Sequence, residues 1–215
     1  MKTFSLVLVV TVACATAPQA LAGTEAPVTD KGGSAAVVLG ASVGAFLPQV
    51  SSELGTHVMG TVEAGYVFSA LDGRMQVFGS LSYTQPRRSQ RLDDPRVPGG
   101  SYEFTTIQRE FAIDAGLLFR FLPIGSRFNG YASLAPRIFL LQTESYGEAQ
   151  GEKFGTNTEN STKIGFCFAL GGEVVLGPGR LLLQAAFSYS QLQHDLTGNV
   201  PTGAIVISAG YRLFL

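Results

Sequence analysis

Chemistry in this 215-residue chain would have to be built from few parts: His57, His194, the lone thiol Cys167 of the chain body, and scattered charges. His194 stands beside Asp195 and four residues after Ser190, a set from which an activated nucleophile could in principle be assembled. Nothing extends that pattern. No His, Cys, Asp or Glu spacing suits a metal ion, and no glycine-rich phosphate loop opens a helix. The expectation is therefore no catalytic residues, no metal and no cofactor. What remains is a set of eight isolated charges, Glu63, Glu110, Asp114 and Glu173 with Arg120, Arg137, Lys163 and Arg212. Four acids against four bases, all placed on the less apolar face of alternating segments, suit mutual pairing in a dry interior.

Those segments are strands. Eight runs alternate with period two, beginning with Val37 to Ala45, Val58 to Ser69 and Met75 to Thr84. Glu110 to Arg120, Tyr131 to Leu140, Lys163 to Leu176, Leu181 to Ser190 and Ile205 to Leu215 follow. Pro136 predicts a bulge or local break in the fifth. The runs reach 11 or more residues, close to what a tilted spanning strand requires. One face carries Val, Leu, Ile, Phe and Tyr. The other carries mostly Gly, Ala and Ser with the isolated charges, too few polar groups for a solvated surface but suited to a narrow lumen. The apolar face is therefore expected outside, against lipid, and the fold expected is all-β, an eight-stranded antiparallel up-and-down transmembrane barrel. Aromatic residues near the run ends, Tyr66, Phe68, Phe119, Phe121 and Tyr211 at one end and Tyr83 and Tyr189 at the other, suit interfacial girdles.

Connections alternate in length. Pro48 to Thr56, Pro86 to Tyr102, Gln142 to Thr162 and Gln193 to Thr202 read as long loops, and the intervening turns at Leu71 to Arg74, Pro123 to Arg127 and Gly177 to Gly179 are short. The second long connection holds Arg87, Arg88, Arg91 and Arg96 against Asp93 and Asp94. The third holds Glu144, Glu148, Glu152 and Glu159 against Lys153, so the two have opposite sign.

Composition sets the class. The chain is 46% hydrophobic and 14% charged with mean hydropathy +0.23, and its 15 basic and 16 acidic residues leave no excess to recruit nucleic acid. Residues 1–22 read as a secretory signal peptide: Lys2, an apolar run from Leu6 to Ala17, and the small-x-small site Ala20-Leu21-Ala22. Residues 23–33 form a short periplasmic lead-in and 34–215 the barrel domain. Cys14 would leave with the leader, so no internal disulfide is expected.

The last eight residues, Ser208 to Leu215, resemble the C-terminal signal read by the barrel assembly machinery, with Ser208, Gly210, Leu213 and Leu215 at the specified positions and leucine replacing the commoner final phenylalanine. With the leader and the eight runs, the chain resembles the small eight-stranded outer-membrane barrels of the OmpA and OmpX class. That resemblance implies outer-membrane lipid and lipopolysaccharide as surroundings, the assembly machinery during biogenesis, and envelope partners reached through the loops. The arginine-bearing connection would meet lipopolysaccharide phosphates. The function expected is anchoring and display of four external loops without catalysis. The alternatives are a narrow passive pore, a barrel subunit of a trans-envelope secretion or motility complex, or a lipid-modifying enzyme. A lipid A deacylase would show a His-x-Ser pairing on a lipid-facing strand, which His194-Asp195-Leu196 lacks.

Overall fold

Each of the alternating runs becomes a paired strand. The computed structural model describes residues 36–48, 55–97, 99–194 and 198–215, the side chains of 191–194 and 198–202 excepted. The expected leader, 1–22, and lead-in, 23–33, lie outside these residues. The strands are β1 (Ala36–Pro48), β2 (His57–Val67), β3 (Met75–Thr84), β4 (Arg87–Asp93), β5 (Ser101–Arg120), β6 (Phe128–Ala149), β7 (Glu152–Leu176), β8 (Gly179–His194) and β9 (Gly198–Phe214). All pairings are antiparallel, and β1 pairs with β9, so the sheet closes on itself. Reciprocal bonds between Val37 and Leu215, 3.2 and 2.9 Å, finish that seam.

β3 and β4 are two halves of one barrel strand. Both lie on β5 in a single register, with Met75 opposite Phe119 and Arg87 opposite Ile107, and Gln108 donates its N–H to Pro86 O at 2.9 Å across the join. Pro86 has no N–H to give, so it interrupts the ladder without shifting it. The barrel is thus eight-stranded and up-and-down.

Side-chain direction follows the alternation. Val37, Leu39, Val43, Val62, Leu81, Ile113, Leu117, Leu134, Ile138, Phe166 and Leu183 all point outward and are exposed. Their partners on the alternate positions, among them Val38, Leu118, Ala135, Arg137 and Arg212, are buried inside. A continuous apolar band around the whole ring far exceeds the patches that water-soluble monomers tolerate. Only hydrocarbon is a suitable solvent for it.

Pro136 produces the expected local break. Pairing with β5 lapses between Asp114–Arg137 and Leu117–Leu134 while the register is kept, and the ladder to β7 continues unbroken. The bulge lies elsewhere, between Ser145 and Gly147, where β7 carries an extra residue beside Gly155 at φ 62°.

The long connections differ from expectation. Most of Pro86 to Tyr102 and of Gln142 to Thr162, and the described part of Gln193 to Thr202, are paired strand. β6 has 22 residues and β7 has 25, and they meet at a turn of Gln150 and Gly151. A spanning strand needs about 9–11 residues, so β4 to β7 continue above the lipid as a four-stranded sheet. Above the lipid both faces are wet, so hydrophobic alternation disappears, yet the backbone still needs hydrogen-bond partners. At the opposite end the turns are short, and the one between β5 and β6 folds beneath the barrel, where Ile124 N–H donates to Asp72 O at 3.1 Å. A Cβ at Gly73, which has φ 72°, would stand 2.7 Å from Ile124 Cγ2. That turn is clamped by Asn129, which bonds Leu122 N, Leu122 O and Pro123 O.

Candidate functional site

Inside the barrel the strand period brings charges from distant segments to one level. Near the short-turn end Glu173 from β7 accepts from Arg120 at 2.7 Å, Arg180 at 3.2 Å and Arg212 at 3.4 Å. Arg212 from β9 also grips Glu63 from β2 through two bonds, 2.9 and 3.0 Å. Gln76 joins them, accepting from Arg120 at 2.8 Å and donating to Glu63 at 3.2 Å. Arg212 stacks over the Tyr131 ring at 4.6 Å, and Phe214 lies against both Arg120 and Arg180. Arg180 also donates to Ile124 O, which fastens the lower turn across the mouth. Arg120 is 0% exposed. Ions so far from water persist only because each is shared among several partners.

A second pair lies higher. Arg137 binds Asp114 through two bonds of 2.6 and 2.7 Å, and Ser80 donates to the same carboxylate at 2.8 Å. Between the two ionic layers is a cavity of about 50 Å³ lined by Ser42, Thr61, Ser133, Gln184 and Ser208 among others. Met59, Cys167 and Val206 also line it, so the lining is mixed, and its volume suits a few waters, each needing roughly 10–15 Å³. Ser208 Oγ is buried with no hydrogen-bond partner among the described residues and borders this space. An apolar cluster of Phe46, Met59, Cys167, Ala169, Ala186, Ala204 and Val206 lies in the lumen and forms part of the cavity wall.

Of the eight charges singled out from the sequence, six enter these two groups: Glu63, Glu173, Arg120 and Arg212 below, Asp114 and Arg137 above. Glu110 is buried toward the outer end, four positions from Asp114, and forms no ion pair within 4 Å among the described residues. Lys163 lies half-buried opposite Phe139 at the outer mouth, and no ion pair joins it to the other seven. Arg180 and Gln76 belong to the lower group and were missed. Both fall on the inward parity of their strands, Arg180 two residues before Leu182 and Gln76 two before Phe78, and that parity is the signal that could have found them.

The arginine set of the second connection does not converge. Arg87 is exposed on the outer face, Arg88 points inward, Arg91 is held by Ser101 Oγ at 3.0 and 2.6 Å, and Arg96 is paired with Asp94 at the tip. The Arg96 hydrogen bond holds the Asp94 carboxyl below the ordinary aspartate range. Arg109, which the sequence reading passed over, lies outward near Arg87, just above the Tyr83–Phe111 ring pair at 5.0 Å. His57 at the rim uses its Nε2 to accept Arg87 N–H at 2.9 Å. Ser190 Oγ donates to Ile164 O at 3.0 Å. The His194 side chain and Asp195 lie outside the described residues. Among the described residues no three His, Cys, Asp or Glu side chains converge to hold a metal.

At the C-terminal signal Gly210 has a packing role. A Cβ there would stand 2.3 Å from Ala41 O and 2.5 Å from Ser42 Cβ, so glycine lets β9 approach β1. Ser208 points into the lumen, while Leu213 and Leu215 lie on the outer face. The girdle aromatics pair at both rims, Tyr66 with Phe68 and Phe119 with Phe121 below, and Phe166 with Tyr189 above.

An apolar belt around a closed ring, with charge paired inside, decides the class. This is a barrel of the outer-membrane type. Solved structures similar to it are the attachment invasion locus protein of Yersinia pestis, at 16% identity over 83% of this chain and 97% of that one with a TM-score of 0.43, and Neisserial surface protein A, at 20% over 84% and 98% with 0.44. A major outer membrane protein from Thermus thermophilus is similar at 12% identity over 85% and 100%, with a TM-score of 0.49. No family model matches the chain, and no curated protein does.

Proposed function

We propose that this barrel is a non-enzymatic protein of the outer membrane that anchors and presents its protruding sheet to the exterior. The observation that carries this reading is the contrast between the two halves of the molecule. The lumen holds ionic groups, a small cavity and an apolar cluster, whereas β4 to β7 continue well beyond the belt as hydrogen-bonded sheet. Material leaves the lipid where a solute path would otherwise be.

Export by a leader at 1–22 and insertion by the assembly machinery fit the alternating final strand. Lipopolysaccharide surrounds the outer rim in this reading. Arg87 and Arg109 lie where its phosphates meet the girdle, and cations at that depth are favoured. Lipid modification lacks an assembled nucleophile and base among the described residues, and conduction would have to breach both lumen layers.

The test is topology with conductance. A cysteine at Gly151, in a Cys167→Ala background, should react in intact cells with a membrane-impermeant maleimide, and one at Gly177 should react only after lysis. In planar bilayers the protein should give no discrete channel steps. Labelling with the opposite sidedness, or steady unitary conductance, would refute the proposal.

A further inference from the structure

Charges inside the barrel do not cancel. Around the cavity and at the lower group the described residues place Glu63, Asp114 and Glu173 with Arg120, Arg137, Arg180 and Arg212, three acids against four bases. Glu110 is four positions along β5 from Asp114, about 13 Å at strand rise, and joins no ion pair within 4 Å among the described residues. The surplus falls in the lower group, where Glu63 and Glu173 meet the guanidiniums of Arg120, Arg180 and Arg212. Arg120 Nη1 is buried there without a hydrogen-bond partner among the described residues, and Arg212 Nη1 has only a long contact of 3.4 Å with Glu173. An uncompensated ion away from water is costly, so the group calls for a counter-ion.

The cavity beside Arg212 and Arg137 is where one fits. The two carboxylates of its wall are already engaged. Asp114 accepts from Arg137 twice and from Ser80, and Glu63 accepts from Arg212 twice and from Gln76. What the wall has to spare is donors. Ser208, 5% exposed, borders the space with its Oγ unpartnered among the described residues. Gln184 gives its oxygen to Tyr131 at 2.9 Å and retains an NH2 group that can only donate. Thr61 and Ser82 share one bond of 2.9 Å between two hydroxyls, which leaves a hydrogen over.

We infer that the cavity binds one small monovalent anion of the halide class, held by Ser208, Gln184 and the Thr61–Ser82 pair beside Arg212. Water alone would satisfy the hydroxyls and leave the surplus charge standing. Phosphate and sulfate need more room than a cavity of about 50 Å³ gives with its wall in place. Met59, Cys167 and Val206 on the same wall suit chloride or bromide, which are weakly hydrated and give up less on leaving water than fluoride does. The anion is structural. It enters as the sheet closes, and it makes the stability of the barrel depend on the salt in which the chain folds.

The experiment follows urea unfolding of the processed chain in lipid vesicles, in sodium chloride and in sodium gluconate at equal ionic strength. Once chloride exceeds its dissociation constant, each tenfold rise should increase the folding equilibrium constant about tenfold, and gluconate should have no such effect. Crystals grown in sodium bromide should carry an anomalous peak within hydrogen-bond reach of Ser208 Oγ. Ser208→Ala removes the spare hydroxyl, and Arg180→Met removes the surplus charge without touching the cavity wall. Both should flatten the chloride dependence. The readout is that dependence, so a lower starting stability of either variant does not disturb it. Equal midpoints in the two salts, a cavity that holds waters alone in the bromide crystals, or an undiminished chloride dependence in either variant would overturn the anion site.

Discussion

Replacing Arg137 by leucine removes one half of the upper lumen pair and leaves Asp114 buried at 4% exposure with only the Ser80 hydroxyl, 2.8 Å away, as a donor. Two bonds of 2.6 and 2.7 Å are lost together. Breaking a buried pair costs about 3–5 kcal/mol, chiefly because the remaining ion is uncompensated. The remaining Ser80 bond offsets about 1 kcal/mol of this, so Arg137→Leu should destabilise the barrel by roughly 2–4 kcal/mol. The double variant Arg137→Leu with Asp114→Leu removes both charges and places apolar volume beside Ala112, Ala135 and Cys167. It should lie within about 1 kcal/mol of the parent protein, since apolar replacement of an entire buried pair is often neutral. The assay is urea unfolding in lipid vesicles followed by tyrosine emission, the chain having no tryptophan, with gel mobility as a second probe. If the single variant is no less stable than the double one, Arg137 and Asp114 are not a mutually compensating pair.

Glycine positions give a sharper packing contrast. A Cβ at Gly116 would stand 2.3 Å from Leu134 O, and one at Gly60 would meet nothing within 4 Å. Gly116→Ala should therefore lower the unfolding midpoint by the equivalent of about 1–3 kcal/mol, and Gly60→Ala should leave it unchanged in the same urea series. At the exposed tip, Asp94 titrates below an ordinary aspartate because Arg96 donates to it. Its charge-assisted bond is present above the unfolded-state pKa and is lost as pH falls through the lower folded value. In Arg96→Ala the carboxyl titration followed by NMR should move up to the ordinary position, and an unmoved midpoint would contradict the pairing. A short epitope inserted between Gln150 and Gly151 should be accessible to antibody on intact cells without loss of barrel mobility on gels.

Legibility in the sequence followed the solvent. Where one face meets lipid and the other the lumen, as from Ile164 to Leu176, the alternation showed strand, direction and face together. Above Leu140 and Ile164 it fails, because Gln142, Glu144, Asn160 and Thr162 lie on the outer face in water and have no reason to be apolar. These residues therefore read as loop although they pair. In the lumen the inward parity of Glu63, Glu173, Arg120 and Arg212 was visible, but which acid meets which base depends on strand register. The departures share this cause. Glu110 and Lys163 have the right face and the wrong level to reach the clusters, and Arg180 was hidden at the edge of a turn signal. Phe46, Met59 and Val206 share the lumen face with the small residues, and the composition of that face does not show how much of the interior they occupy.

The grip of Arg212 on Glu63 joins residues 149 positions apart. No partial product of translation can form it, and the first strand has no final neighbour until the last one arrives. Folding of such a molecule is necessarily late and all at once, with a large entropic toll of loop closure before any reward. Until that moment two raw margins of sheet stand open, which makes escort of the nascent polypeptide a physical requirement of its topology.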